Sequence, residues 1–166
     1  MKFSIQKHIA LSGHRASIYV IWHEEDNENS LEKFVRENRP NFPNEVKDIA
    51  KRLKAIGHTT GARAQYFKPN EGKPGDGVCA LYDDPAKYLR LYCIQNGTIN
   101  LIVGGGGEKP KNIASFQENE KLTRENYFLQ AVSELFLKRL KEKDIYYSKN
   151  GMDLEGDLTF EDTDLF

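Results

Sequence analysis

Residues 75–111 read GDGVCALYDDPAKYLRLYCIQNGTINLIVGGGGEKPK, and this stretch limits what the chain can fold into more than any other. Three apolar runs, Gly77 to Tyr82, Tyr88 to Ile94 and Thr98 to Val103, are separated by Asp83-Asp84-Pro85 and by Asn96-Gly97. Asparagine-glycine between apolar runs is the strongest short hairpin signal a sequence offers, because both residues tolerate the positive φ of a tight turn. The stretch therefore predicts a three-stranded antiparallel meander over 76–107. Its third strand is largely apolar and so central. Gly104 to Gly107 are expected to end that strand in a basic lip carrying Lys109 and Lys111.

Before the meander, residues 2–11 and Ala16 to His23 read as two strands around a Ser12-Gly13-His14 turn, an N-terminal hairpin within 1–29. A helical hairpin follows over 30–57. Ser30 is the expected N-cap of the first helix, which stops near Arg39 because Pro40 disfavours a helical residue before it. Val46, Ile49, Ala50, Leu53 and Ile56 give the second helix one buried face, with Gly57 as its C′ residue. Residues 58–75 form a connector with a short extended piece near Ala64 to Lys68. Residues 108–121 are polar and read as irregular. A long helix over 122–143 carries Leu122, Val132, Leu135, Phe136 and Leu140 on one face. The fold class is thus α+β, one domain over 1–149 with an acidic tail over 150–166, read as disordered or as a surface hairpin.

Charge is asymmetric. The net is −1, yet the tail holds six acids and no Lys or Arg, which leaves 24 basic and 19 acidic residues over 1–149, a net of +5. A mildly basic body suits phosphate, though +5 is also unremarkable for this length. No apolar run approaches the ~20 residues that span a bilayer, and Lys2, Gln6, Lys7 and His8 interrupt any signal-peptide core. A cytoplasmic protein without membrane contact is the expectation. Cys79 and Cys93 fall in successive strands and read as buried thiols facing each other, a disulfide being the alternative. His8, His14, His23 and His58 are scattered without a metal-ligand pattern; His58 is either an acid–base group or an ordinary helix-end residue.

Arg90 is the one charge in an apolar strand. It reads either as a phosphate anchor, since a guanidinium binds phosphate bidentately, or as a solvent-face residue paired with Asp83 or Asp84. Tyr92 shares its face by alternation and could position RNA or stack on a base. The glycine run reads either as an anion-binding nest or as a mobile loop or bulge. It lacks the lysine-serine/threonine of a P-loop and the βαβ setting of a dinucleotide fingerprint.

The order of elements, a KRLKAIG helix end, then QYFK, GVCALYD, YLRLYCI and INLIVGGGGEKPK, resembles the RelE/ParE/HigB superfamily of toxin–antitoxin toxins, in its phage-derived branch, over about residues 31–115. The resemblance implies a helical hairpin packed on a curved antiparallel sheet, with helices on one face. It implies a toxin that cleaves messenger RNA, often on the ribosome, through attack of the RNA 2′-hydroxyl on the adjacent phosphate, with no metal or cofactor, and that is neutralised by a cognate antitoxin protein. By that likeness Arg90 anchors the scissile phosphate, while Lys109 and Lys111 stabilise its charge with Tyr92 beside them. Arg63, Lys68 and Lys73 of the connector are the expected RNA-backbone contacts. The first meander strand, GVCALYD, carries no base, which favours an alternative: a non-catalytic RelE-like module that binds RNA or a protein partner. The tail is also a candidate to cover the lip in cis.

Overall fold

The computed structural model describes residues 2–109 and 119–165. The fold is α+β. Strands β1 (Lys2–Lys7) and β2 (Ser17–His23) form the N-terminal hairpin. The two-residue β3 (Glu28–Asn29) pairs β2 and leads into α1 (Ser30–Asn38) and α2 (Pro43–Ala55). The meander is β4 (Val78–Tyr82), β5 (Leu89–Asn96) and β6 (Asn100–Glu108), and α3 (Glu120–Glu142) follows. Strands β7 (Ile145–Tyr147) and β8 (Leu154–Gly156) pair with each other, and β9 (Thr159–Glu161) precedes a terminal helical turn, Asp162–Leu165.

The main sheet runs β4-β5-β6-β2-β1-β9. It is mixed rather than antiparallel, because β2 and β6 pair in parallel from Ser17↔Asn100 to Val20↔Val103. The N-terminal hairpin is therefore not an appendage but the middle of the sheet. Its sequence accounts for this: SIYVIWH is apolar on both faces, as a strand covered on both sides must be. Ile18 and Val20 face one core with Phe34, Ile49, Leu53, Leu91 and Leu101. Tyr19 and Ile21 face a second core with Tyr92, Ile102, Leu129, Val132 and Phe136. Helices α1 and α2 thus cover one face and α3 the other, which corrects the expectation of helices on one face only.

Several local expectations shift. The N-cap of α1 is Asn29, not Ser30. The Asn29 side chain accepts from the Glu32 N–H at 2.8 Å and Glu32 reaches back to the Asn29 N–H, a complete capping box. Ser30 is freed for a buried role: its hydroxyl accepts from the Ile21 N–H at 3.0 Å and donates to the Val103 carbonyl at 2.7 Å, tying α1 to β2 and β6. Gly57 does not terminate α2. The helix widens into a π turn, Ile56–Thr60, and stops at Gly61 with φ 78°. Gly57 is glycine for another reason: a Cβ there would lie 1.9 Å from the Leu11 carbonyl oxygen. Near the expected extended piece, Ala64–Tyr66 is a 3₁₀ turn, and only Lys68 bridges to Ala80 of β4.

The four glycines lie inside β6, not beyond it. Between Leu91↔Gly106 and Cys93↔Val103, two β6 residues oppose the single residue Tyr92, a bulge of the kind glycine favours. A Cβ at Gly104 would meet both methyls of Leu129 at 3.0 Å, so the missing side chains let α3 lie close on the strand. Cys79 and Cys93 are register partners on β4 and β5, both buried and free. Burial pushes the Cys79 thiol up to about 12.

The tail is folded. Strand β9 adds to β1 through Lys2↔Glu161, Phe3↔Phe160 and Ser4↔Thr159, and Phe160 is fully buried, its ring stacked on Phe3 at 5.1 Å. Arg139 of α3 pins this edge. Its guanidinium lies 3.9 Å from the Phe160 ring and donates to the carbonyls of Asp157 and Thr159. Asp153 pairs with Lys7 at 2.9 Å and accepts from Ser17. The side-chain partners of the tail acids are thus Lys7, Ser17 and Arg139, and none pairs with Lys109 among the described residues. The lip beyond Lys109, which the tail was a candidate to cover, lies outside the described residues.

Candidate functional site

Arg90 lies on β5, an interior strand of the sheet, directly across from Tyr82 of β4. It is 4% exposed. Its guanidinium carbon is 5.4 Å from the Tyr82 ring centroid and 6.0 Å from that of Tyr92, and Nη1 donates to the Tyr92 hydroxyl at 3.3 Å. Nε is buried without a hydrogen-bond partner among the described residues. Burial works against the charge, but the Tyr92 hydroxyl bond and the nearby Tyr82 and Glu71 outweigh it and hold the guanidinium above its ordinary value. The pairing with Asp83 or Asp84 does not occur. Asp83 accepts from the Leu89 N–H at 2.7 Å and closes the turn, and Asp84 pairs with Arg52 at 3.2 Å.

Tyr92 is fully buried, and burial pushes its hydroxyl up to about 12. It cannot reach a base, so the stacking role expected of it is corrected: it is a wall for Arg90. The half-buried aromatic beside Arg90 is Tyr82, one strand over. Lys109 comes to that same ring, with Nζ 5.3 Å from its centroid, held there by its own N–H donating to the Tyr88 carbonyl at 2.7 Å. Arg90 and Lys109 are thus brought to one ring. Lys111 lies outside the described residues.

Tyr82 and Lys109 line a cleft of about 480 Å³ beside β4, together with Arg52, Tyr66, Lys68 and Lys87. Lys68 is placed by its backbone bridge to Ala80, and its Nζ lies 3.4 Å from the buried Glu71 carboxylate. Arg52 is engaged by Asp48 at 2.9 Å and by Asp84, and the Asp48 carboxylate also accepts from the Asp84 N–H. The Asp48 hydrogen bond raises Arg52 against the opposing effect of its partial burial. Lys68, Lys87 and Lys109 are therefore the cations a ligand would meet, set against Asp83 and Asp84.

Arg63 and Lys73 do not line this cleft. Arg63 is exposed and donates to the Thr60 carbonyl at 3.2 Å. Lys73 lies against α3, 3.9 Å from Glu134. His58 is an ordinary helix-end residue: its ring nitrogen contacts the Ala10 carbonyl at 3.1 Å. Sequence reasoning missed Tyr82, Lys87 and Arg52. Tyr82 could have been found, since the Asp83-Asp84-Pro85 turn brings it opposite Arg90.

Among the described residues no three His, Cys, Asp or Glu side chains are grouped to hold a metal, and no helix is long and apolar enough to cross a membrane. Fold and cleft together define a mixed-sheet α+β protein with a lysine-rimmed cleft at one sheet edge. Comparison with protein-family models, curated proteins and solved structures gives no match.

Proposed function

We propose that this chain is a RelE-like module that holds the backbone of single-stranded RNA in the cleft beside β4. The observation that carries this is the gathering of Lys68, Lys87 and Lys109 around one cleft that Tyr82 also lines, with Lys109 against the Tyr82 ring. Lysines neutralise backbone phosphates, and a tyrosine face stacks on any base, so the pair suits a single strand read without strict sequence preference. The RelE-like assignment is supported by the order helical pair, connector, meander, helix, with Arg90 in the middle meander strand. The burial of Arg90 and Tyr92 favours binding over cutting, because a phosphate cannot touch Arg90 while Tyr82 covers it.

A second reading, the ribonuclease toxin with a cognate antitoxin, draws on one feature: the Arg90 Nε–H lacks a partner among the described residues, and a phosphate that displaced Tyr82 would supply one. The RNA 2′-hydroxyl oxygen would then bond to phosphorus as its proton leaves, and the 5′-oxygen of the next nucleotide would depart and take up a proton. Lys109 and Arg90 would hold the charge on the phosphoryl oxygens.

One incubation separates the readings. Purified protein is mixed with an end-labelled single-stranded RNA in excess chelator, then resolved on native and denaturing gels. The binding module gives a shifted complex at micromolar protein and intact RNA. The toxin gives fragments with 2′,3′-cyclic phosphate ends that vanish with Lys109→Met. Absence of both complex and fragments contradicts both readings.

A further inference from the structure

Arg52 and Asp84 both line the β4 cleft, and the contact between them is one a ligand can exchange. Arg52 sits on α2, and its guanidinium is held at two points. Nε donates to Asp48 Oδ2 at 2.9 Å, one helical turn back. Nη2 lies 3.2 Å from the carboxylate of Asp84, in the turn between β4 and β5. Nη1 meets no hydrogen-bond acceptor among the described residues.

The two contacts differ in how firmly they are built. Asp48 Oδ2 also accepts from the Asp84 N–H at 2.8 Å, so one carboxylate fixes both the guanidinium and the backbone of the turn. The Asp84 side chain is 58% exposed, and Arg52 is its one charged partner among the described residues. Water and salt compete for so exposed an ion pair. The carboxylate is free to turn outward while its own backbone stays pinned to Asp48. Asp83, the other carboxylate that lines the cleft, lacks this freedom: it is buried and accepts from the Leu89 N–H. Glu71, which pairs with Lys68, is buried as well.

We propose that Arg52 is a fourth phosphate-binding cation of this cleft and that Asp84 occupies it in the free protein. An incoming phosphate takes Nη1 and Nη2, Asp48 keeps Nε, and Asp84 turns out to water. The exchange replaces a weak, exposed pair by a two-point, charge-assisted one on a guanidinium that Asp48 has already oriented. Lys68, Lys87 and Lys109 meet the ligand first; its seating then adds Arg52 and removes the repulsion of one carboxylate. The proposal deepens the RNA reading of the same cleft and rests on it for the source of the phosphate.

The test is a double-mutant cycle on the full chain with Asp84→Asn and Arg52→Met, read by fluorescence anisotropy with a single-stranded RNA at low salt. Asparagine keeps the backbone N–H that Asp48 holds and drops the competing charge. Asp84→Asn is expected to tighten RNA binding about fivefold with Arg52 present, and less than about twofold in Arg52→Met. Asp84→Ser, also without charge, is expected to behave like Asp84→Asn. An equal gain with and without Arg52 assigns the effect to general repulsion by Asp84 and overturns the exchange, as does no gain in either background. A second arm does not depend on RNA: the Arg52 Nε–H resonance is followed by NMR with tripolyphosphate at constant ionic strength. Asp84→Asn is expected to bring its shift to about fivefold lower tripolyphosphate than wild type needs. That result without RNA binding upholds the exchange with a free polyphosphate as ligand, and contradicts the RNA reading alone. No shift of this resonance with either RNA or about 10 mM tripolyphosphate overturns the phosphate site.

Discussion

Gly106→Ala should destabilise the protein by about 3 kcal/mol, while Gly107→Ala should cost less than about 1 kcal/mol. The difference is steric. A Cβ at Gly106 would stand 1.9 Å from the Arg90 carbonyl oxygen and 2.9 Å from the Leu91 Cα, both backbone atoms of the neighbouring strand. Only parting β5 from β6 makes room, in the middle of the sheet that carries Arg90. At Gly107 the nearest atom is Lys121 Cε at 3.3 Å, the flexible end of a surface side chain that can move aside. Neither glycine has a positive φ, so backbone freedom does not enter. Urea denaturation of the two variants against wild type measures the contrast. Equal midpoints for the two variants would mean that the glycine run does not pass beneath β5 as described.

Arg90→Ala should cost about 3 kcal/mol of stability, and Arg90→Met about 1 kcal/mol or less. The arginine stem is core: it lies between the Tyr82 and Tyr92 rings at 4% exposure. Alanine leaves a cavity there and removes the donor to the Tyr92 hydroxyl. Methionine fills much of the same volume, and it relieves the desolvation of a guanidinium whose Nε has no partner among the described residues. Thermal or urea unfolding gives both values. A cost below about 0.5 kcal/mol for alanine would place the side chain in solvent and return Arg90 to the role of an exposed anchor. The contrast also bears on function: loss of RNA binding in Arg90→Ala would mix a folding defect with a binding one, so the cleft is better probed through Lys68 and Lys109, which sit at its rim.

The meander was legible because its signals are local. Asn96-Gly97 and the apolar runs define β4, β5 and β6, and the 3.6-residue repeats define α2 and α3. What sequence reasoning missed depends on distant partners. The parallel pairing of β2 with β6 joins residues more than eighty positions apart, and it shows only in the apolarity of SIYVIWH on both faces. Glycine normally weakens a strand, so the extension of β6 through Gly104 to Gly107 follows from the close approach of α3 and β5, which local propensity does not register. The acidic tail read as surface because six carboxylates dominate it; one buried ring, Phe160, and the grip of Arg139 make it a strand. For the candidate site, Arg90 and Lys109 meet at the Tyr82 ring, which the sequence reading did not single out, while Tyr92, expected to face a base, is buried. Alternation puts Tyr92 on the Arg90 face without saying that α3 covers that face.

The central claim, that the β4 cleft holds an RNA backbone, is tested most directly by salt. Affinity for a single-stranded RNA is measured by fluorescence anisotropy across a range of salt concentrations, for wild type and for Lys68→Met with Lys109→Met. Two lost phosphate contacts should flatten the plot of log affinity against log salt by about 1.4 and weaken binding at low salt. An unchanged slope in the double variant, with RNA still bound, would place the RNA on another surface and contradict the account.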